Sequence, residues 1–282
     1  MNSDITKNSA PAAEQRQGAS APAPAQRSLF RSVALPTEHG GWGLTGEPIV
    51  LGLAVSPSWA GLCLGLATML AFLARTPLRL VLVDLRRQRS LPRTVLARKV
   101  LAIEALAATV LLGVAVLVAH EPFWWPLAIA GPLVAVELWF DSRSRSRRVL
   151  PELAGTVGVS ASAAMIILSG AGSASVAVAA WLVLAARGLT SIPHIRAQVE
   201  RRHGRDSAMG VIIGADIAAL AFAIGATLIE PSAWPGSTTA VILIAYLWAS
   251  ANSTASATAL GIRQTIIGLA VVIATAVGLN HS

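Results

Sequence analysis

The sequence is short of charge, of cysteine and of ready-made catalytic motifs, and each shortage excludes something. Charged residues fill 13% of its 282 positions, about half the share of an average soluble domain. Hydrophobic residues fill 54%, and the mean hydropathy is +0.64. Apolar stretches of near-bilayer length recur from Leu44 to the end, with no soluble-domain-sized interval between them, so a soluble fold is excluded. The one cysteine, Cys63, lies in the apolar run 61–73, which rules out an intramolecular disulfide and a thiolate metal cluster. Neither a Walker loop, an HExxH helix, a GxSxG elbow nor a paired His-Cys metal spacing is present. The net charge of +8 and a pI near 11.3 would suit nucleic acid. With 5% aromatics and no free basic amphipathic surface, however, that partner is excluded and the charge reads as membrane topology.

What is present is a tail and a series of apolar runs. Residues 1–34, rich in Ala, Pro, Ser and Gln, cannot bury enough surface to fold and read as a disordered cytoplasmic tail. The tail lacks the apolar core of a signal peptide and is expected to stay on the mature protein. Beyond it, residues 35–282 form one transmembrane domain. Breaks at charged clusters and at Gly/Pro/Ser groups divide it into nine runs, at 36–55, 58–80, 98–119, 123–140, 150–170, 174–192, 208–229, 237–258 and 262–279. Most are long enough to cross about 30 Å of hydrocarbon as α-helix. The expected class is all-α, a polytopic bundle of about nine helices.

Nine crossings sort the basic residues cleanly. Every Lys and Arg falls in the tail or in the second-to-third, fourth-to-fifth, sixth-to-seventh and eighth-to-ninth connections and the helix ends beside them. The opposite connections, 56–58, 120–125, 170–175 and 230–237, hold none. The positive-inside rule then puts the N-terminus in the cytoplasm and the C-terminus outside, in a bacterial-type inner (plasma) membrane. Trp59, Trp124, Trp125 and Trp234 fall at the outer helix ends, where indoles anchor in the head-group layer.

Ionisable groups inside a span are costly enough to mark function. Glu47, Glu104, Glu137 and Asp216 qualify, and Asn252 with its Ser/Thr neighbours adds a polar stripe to the eighth span. Glu104, Glu137, Asp216 and Asn252 all fall in the inner half of the bilayer, which suggests a polar cavity open to the cytosol. The plainer alternative is that each acid pairs with an arginine at a neighbouring helix end as packing glue. Arg75 and Arg79 share a helix face at i and i+4, and Arg187, His194 and Arg196 surround a bend at Pro193. Guanidinium groups grip phosphate or carboxylate with two prongs, so these side chains are candidates for holding an anionic head group. Ordinary topogenic charge and contact with anionic lipid are the alternative. In PTEHGGWGLTGEP at 36–48, His39 beside carboxylates is a candidate base or proton relay, or else it caps the helix while the glycines make a packing face.

The opening PTEHGGWG, with DSRSRSRRVLPELAG and RGLTSIPHIRAQVERRHG downstream, resembles the YwiC-like membrane proteins over about residues 35–279. That resemblance assigns no activity. Nine helices with enlarged connections after the second and sixth spans also resemble the UbiA-like intramembrane prenyltransferases, whose two Asp-rich motifs hold magnesium on a prenyl diphosphate. Here the matching segments offer Arg75, Arg79 and Asp84, then Arg187, His194 and Arg196, so one acid stands in the first and none in the second. No metal or cofactor is therefore expected. The sequence reads as an integral membrane protein that binds an anionic amphiphile, such as a lipid or isoprenoid phosphate, in a cytosol-facing polar cavity. Arg75, Arg79, Arg187, His194, Arg196, Glu47, Glu104 and Asn252 are the candidate binding residues. An enzyme on the same site would be a metal-independent transferase or hydrolase of a lipid phosphate, with His39 or Asp216 moving a proton. A proton- or ion-coupled carrier using Glu47, Glu104 and Asp216, or a non-catalytic scaffold, are the rival readings.

Overall fold

Long runs of Ala, Leu, Val and Ile without strand alternation build helices, and helices are what the chain forms. The computed structural model describes residues 30, 32–36, 39–143, 148–205, 208–251, 253 and 257–281, the side chains of 39 and 257 excepted. Among these are nine α-helices: α1 (His39–Val55), α2 (Trp59–Arg86), α3 (Pro92–Val118), α4 (Trp125–Ser142), α5 (Val149–Ser169), α6 (Ala174–Arg202), α7 (Met209–Ile229), α8 (Trp234–Ala249) and α9 (Ala257–Asn280). No strand occurs among the described residues. Helix starts follow local chemistry. Ser58 accepts a hydrogen bond from Gly61 N at 2.9 Å and Ser173 one from Val176 N at 3.2 Å, while Pro92 opens α3.

Six helices, α2, α3, α5, α6, α7 and α9, are long and apolar enough to cross a membrane. The other three, of 17, 18 and 16 residues, are shorter or less apolar, so the expectation of nine full crossings is met on length and composition by six. Hydrogen bonds sort the helix ends into two groups. At one end Arg86 Nη1 donates to Ser142 O (3.4 Å), Arg196 Nη1 to Glu152 (3.1 Å) and Gln198 Nε2 to Ser250 O (3.3 Å). At the other, His120 N donates to Ser169 O (3.1 Å), Ser175 Oγ to Glu230 Oε2 (2.7 Å) and Asn280 Nδ2 to Ala54 O (3.1 Å). The arginine-rich connections thus gather at one end of the bundle. At the other end the hydrogen bond from Ser175, then that from Ser232, holds the Glu230 carboxyl below its usual range.

α5 and α6 are buried along most of their length and form the axis, with Ile166, Ile167, Val183 and Leu184 in its apolar core. α3 packs chiefly along α2 and leaves Ile103, Leu106, Val110 and Leu117 exposed, as a lipid-facing helix does. The tail expectation lies, for residues 1–29 and 31, outside the described residues. Its last residues, 32–34, are helical, and Val33 and Ala34 are buried against Ala97 and Val100 of α3.

Two boundaries differ from the sequence reading. α6 does not end near residue 192 but continues through Pro193 to Arg202. Proline removes one backbone hydrogen bond, a loss helices at membrane depth tolerate when neighbours cover the freed carbonyl. The expected eighth span, 237–258, stops short: α8 ends at Ala249, Ser250 N bonds back to Tyr246 O, and Ser253 of the expected polar stripe is not helical, while Asn252, Thr254 and Ser256 lie outside the described residues. Serine, asparagine and threonine compete for backbone hydrogen bonds and favour such connections over helix interiors.

Candidate functional site

Carrying α6 on to Arg202 gives it one polar stripe inside the bundle. Arg187, Thr190, Ser191, His194 and Gln198 are all buried, at spacings that keep them on neighbouring helix faces. Three of them organise the site.

Arg187 is 3% exposed, and its Nη2 lies 2.8 Å from Glu47 Oε1 of α1 and donates to Gln264 O of α9 at 2.9 Å. The ion pair ties three helices together, at an angle that leaves Glu47 Oε1 without a proper hydrogen bond. Gly268 of α9 lies directly against it, and a Cβ there would collide with Glu47 Oε1 and Arg187 Nη2.

One and two turns further along α6, Thr190 Oγ1 donates to Asp216 Oδ1 of α7 at 2.6 Å and His194 Nε2 lies 3.0 Å from Asp216 Oδ2. Trp248 Nε1 of α8 donates to the same Oδ2 at 2.8 Å, and its ring meets His194 edge-on at 5.2 Å. Asp216 is a buried acceptor for three donors from two helices, α6 and α8, and ties both to α7 as a structural post.

Between α1, α5, α6 and α9 runs a groove of about 830 Å³, within the size range of small-molecule sites. Leu44, Ile192, Ile195, Val199, Leu260 and Ile262 make its walls, and Arg187, Ser191, Gln264 and Arg196 give it polar patches. Gly40, Gly43 and Gly261 keep it open, since a Cβ at Gly40 or Gly261 meets nothing within 4 Å. Four buried polar atoms without a hydrogen-bond partner collect here: Arg187 Nε, Ser191 Oγ, Gln264 Oε1 and, behind them, Glu47 Oε1. At its rim Arg196 is held by Glu152 (3.1 Å) and Glu200 (3.3 Å).

The candidate residues therefore do not meet in one cavity. Arg187 and Arg196 share the α6 groove, with Glu47 behind Arg187, while His194 turns to Asp216. Arg75 is bound to Glu137 and Asp141 of α4, each at 2.7 Å, through the space left by Gly155. The acids Glu137 and Asp141 are thus paired as the packing reading holds, with Arg75 of α2 as a shared partner; Arg145 and Arg147 lie outside the described residues. Arg79 lines a separate, smaller groove beside α2. Glu104 lies on α3, with Oε2 buried and without a hydrogen-bond partner, away from all of these. His39 begins α1 but its side chain, like Asn252, lies outside the described residues. Among the described residues no three His, Cys, Asp or Glu side chains gather to hold a metal.

Ser191, Gln264, Trp248 and Gly268 were not singled out by sequence. Helical spacing from Arg187 would have flagged Ser191 and Gln198, once α6 was extended past Pro193. In comparisons with known proteins, residues 35–168 match the family described as YwiC-like protein. No curated protein and no solved structure matches the chain.

Proposed function

We propose, from the match of residues 35–168 to the YwiC-like family and from apolar helices of membrane-crossing length, that this multi-pass membrane protein holds an anionic amphiphile in the α6 groove. The observation that carries the reading is the set of unpartnered polar atoms at Arg187, Ser191 and Gln264 beside aliphatic walls. Buried donors and acceptors cost free energy until something pairs with them, so they specify where a head group is held. Arg187 Nε and the Ser191 hydroxyl donate to a phosphate or carboxylate oxygen, Gln264 accepts from a head-group hydroxyl, and a chain lies along Ile192, Ile195 and Leu260. Glu47 and Glu152 offset the two arginines. With both arginines already offset, a head group of one negative charge, such as a phosphodiester or carboxylate, fits better than a diphosphate. Binding is what these residues support; Asp216 and Arg196 are already occupied by their own partners.

Nine crossings in a UbiA-like order, with the arginine-rich end in the cytoplasm of a bacterial-type inner membrane, belong to the same proposal. The partition of basic residues, the sorting of helix ends and the extra length of α2 and α6 support it. Reporter fusions after residues 90 and 200 are expected to report cytoplasm and those after 121 and 233 the outside; an exterior signal at 200 defeats the arrangement.

The groove is tested by filling it. Gly261→Leu places a side chain in open space and improves helix propensity by about 0.5–1 kcal/mol, so the variant is expected to fold at least as well as the parent. Lipid retained through purification in mild detergent, weighed by native mass spectrometry, should fall from near-stoichiometric to trace amounts. Equal retention in both proteins would mean that the bound lipid sits elsewhere.

A further inference from the structure

A second groove, of about 300 Å³, opens where α2 runs out toward α3, and it is lined by Arg75, Arg79, Arg87, Arg93, Asp84 and Thr76 among others. Its charges are not balanced. Arg75 is neutralised by Glu137 and Asp141, and Arg93 approaches Asp84 at 3.7 Å. Arg79 and Arg87 have no acid and no side-chain hydrogen bond among the described residues. Arg79 lies on α2 one turn after Arg75, and Arg87 caps the C-terminal end of that helix about two turns further on, so all three border the groove. Asp84 and Thr94, 2% and 0% exposed, are bonded to each other beneath them and give the groove a fixed polar floor. Ser32 and Pro36 close it from above, held there by Val33 and Ala34 packed on α3.

Charge placed only for topology needs none of this. Charge of that kind satisfies the positive-inside rule in any rotamer and at any spacing, whereas the half-buried Arg79 and the exposed Arg87 border one groove whose floor is the buried Asp84. A phosphate group supplies three or four acceptor oxygens in the geometry two guanidinium forks match. We propose that the groove formed by Arg79, Arg87 and Arg93 is a second, metal-independent binding site for a phosphate group, separate from the α6 groove. The phosphate is either that of an anionic lipid head group at the membrane surface or that of a free phosphate ion, and the two are told apart by which probe binds.

The test uses the full chain, delipidated in detergent with EDTA present, and repeats each measurement in the Gly261→Leu background, where the α6 groove is filled. The probes are inorganic phosphate, followed by calorimetry, and short-chain phosphatidic acid, followed by native mass spectrometry. Arg79→Gln and Arg87→Gln are each expected to weaken the bound probe by about tenfold or more, the loss of a charge-assisted hydrogen-bond pair. Arg89→Gln and Arg98→Gln, which remove the same charge outside the groove, should change it less than about twofold. Phosphatidic acid that binds and is not displaced by millimolar phosphate identifies the lipid head group; phosphate that binds and competes identifies the free ion, and both support the site. Equal loss from all four substitutions would reduce the groove to diffuse surface charge. Binding of neither probe, by protein with unchanged thermal stability, or binding that needs Mg²⁺, would overturn the proposal.

Discussion

Arg187→Met is expected to lower the stability of the detergent-solubilised protein by about 3–5 kcal/mol, the usual cost of removing one partner of a buried ion pair. The cost arises in what is left behind. Glu47 has 9% of its side chain exposed and faces Arg187 across α1, α6 and α9, so without the guanidinium its carboxylate stays buried with no counter-charge. Taking both charges away is a different experiment. Glu47→Gln combined with Arg187→Met leaves two neutral groups of similar volume and should recover most of the loss, because a buried pair is rarely worth more than a neutral isostere. Such recovery, measured as a double-mutant cycle of denaturant or thermal unfolding, reads the coupling directly. Gly268→Ala should also destabilise, since its methyl group would occupy the space in which the pair meets. Additive losses from the two single variants would show that Glu47 and Arg187 do not interact.

Asp216→Ala should be comparably severe for a different reason. Thr190, His194 and Trp248 each direct a hydrogen at this carboxylate, and alanine leaves three donors on two neighbouring helices without an acceptor. Each unpaired buried group costs about 1–3 kcal/mol. Relaxation and water entry make the sum less than additive, and a total of about 3–5 kcal/mol is expected. Asp216→Asn keeps the volume and one acceptor oxygen and should cost less than half as much. Trp248 supplies a second readout, because release of its Nε1 changes the indole's surroundings and should shift its fluorescence in the alanine variant. A stable Asp216→Ala protein with unchanged fluorescence would remove Asp216 from its place as the post between α6, α7 and α8.

The helices were legible because apolar runs of bilayer length can do little else, and all nine runs correspond to helices among the described residues. Their ends were harder. Pro193 reads as a stop by its chemistry, yet α6 runs through it, and this one misreading hid the polar stripe from Arg187 to Gln198. The stripe from Asn252 on reads as polar groups within the eighth span, yet α8 already ends at Ala249, where Ser250 Oγ bonds back to Leu247 O. The ionisable residues were legible as individuals and not as pairs. Nothing local to Glu47 names Arg187 as its partner, or Glu137 and Asp141 as partners of Arg75, since such pairings depend on which helices become neighbours. Trp248 was silent for a related reason: an indole near a helix end fits the head-group layer as well as it fits a buried carboxylate. A polar cavity with Arg187 and Arg196 was expected, but its walls between α1, α5, α6 and α9 were not legible, because Gly40, Gly43 and Gly261 shape them by what they lack.

The most direct measurement is to let a lipid mark its own place. The protein in native-like membrane nanodiscs is loaded with a phospholipid carrying a photoactivatable group near its phosphodiester, irradiated and digested, and the labelled peptides are identified by mass spectrometry. Head-group binding beside Arg187 predicts adducts concentrated in residues 187–199 of α6 and 258–265 of α9, reduced by Gly261→Leu. Labels spread along the lipid-facing surface of α3, from Ile103 to Leu117, with none enriched at α6 or α9, would contradict it.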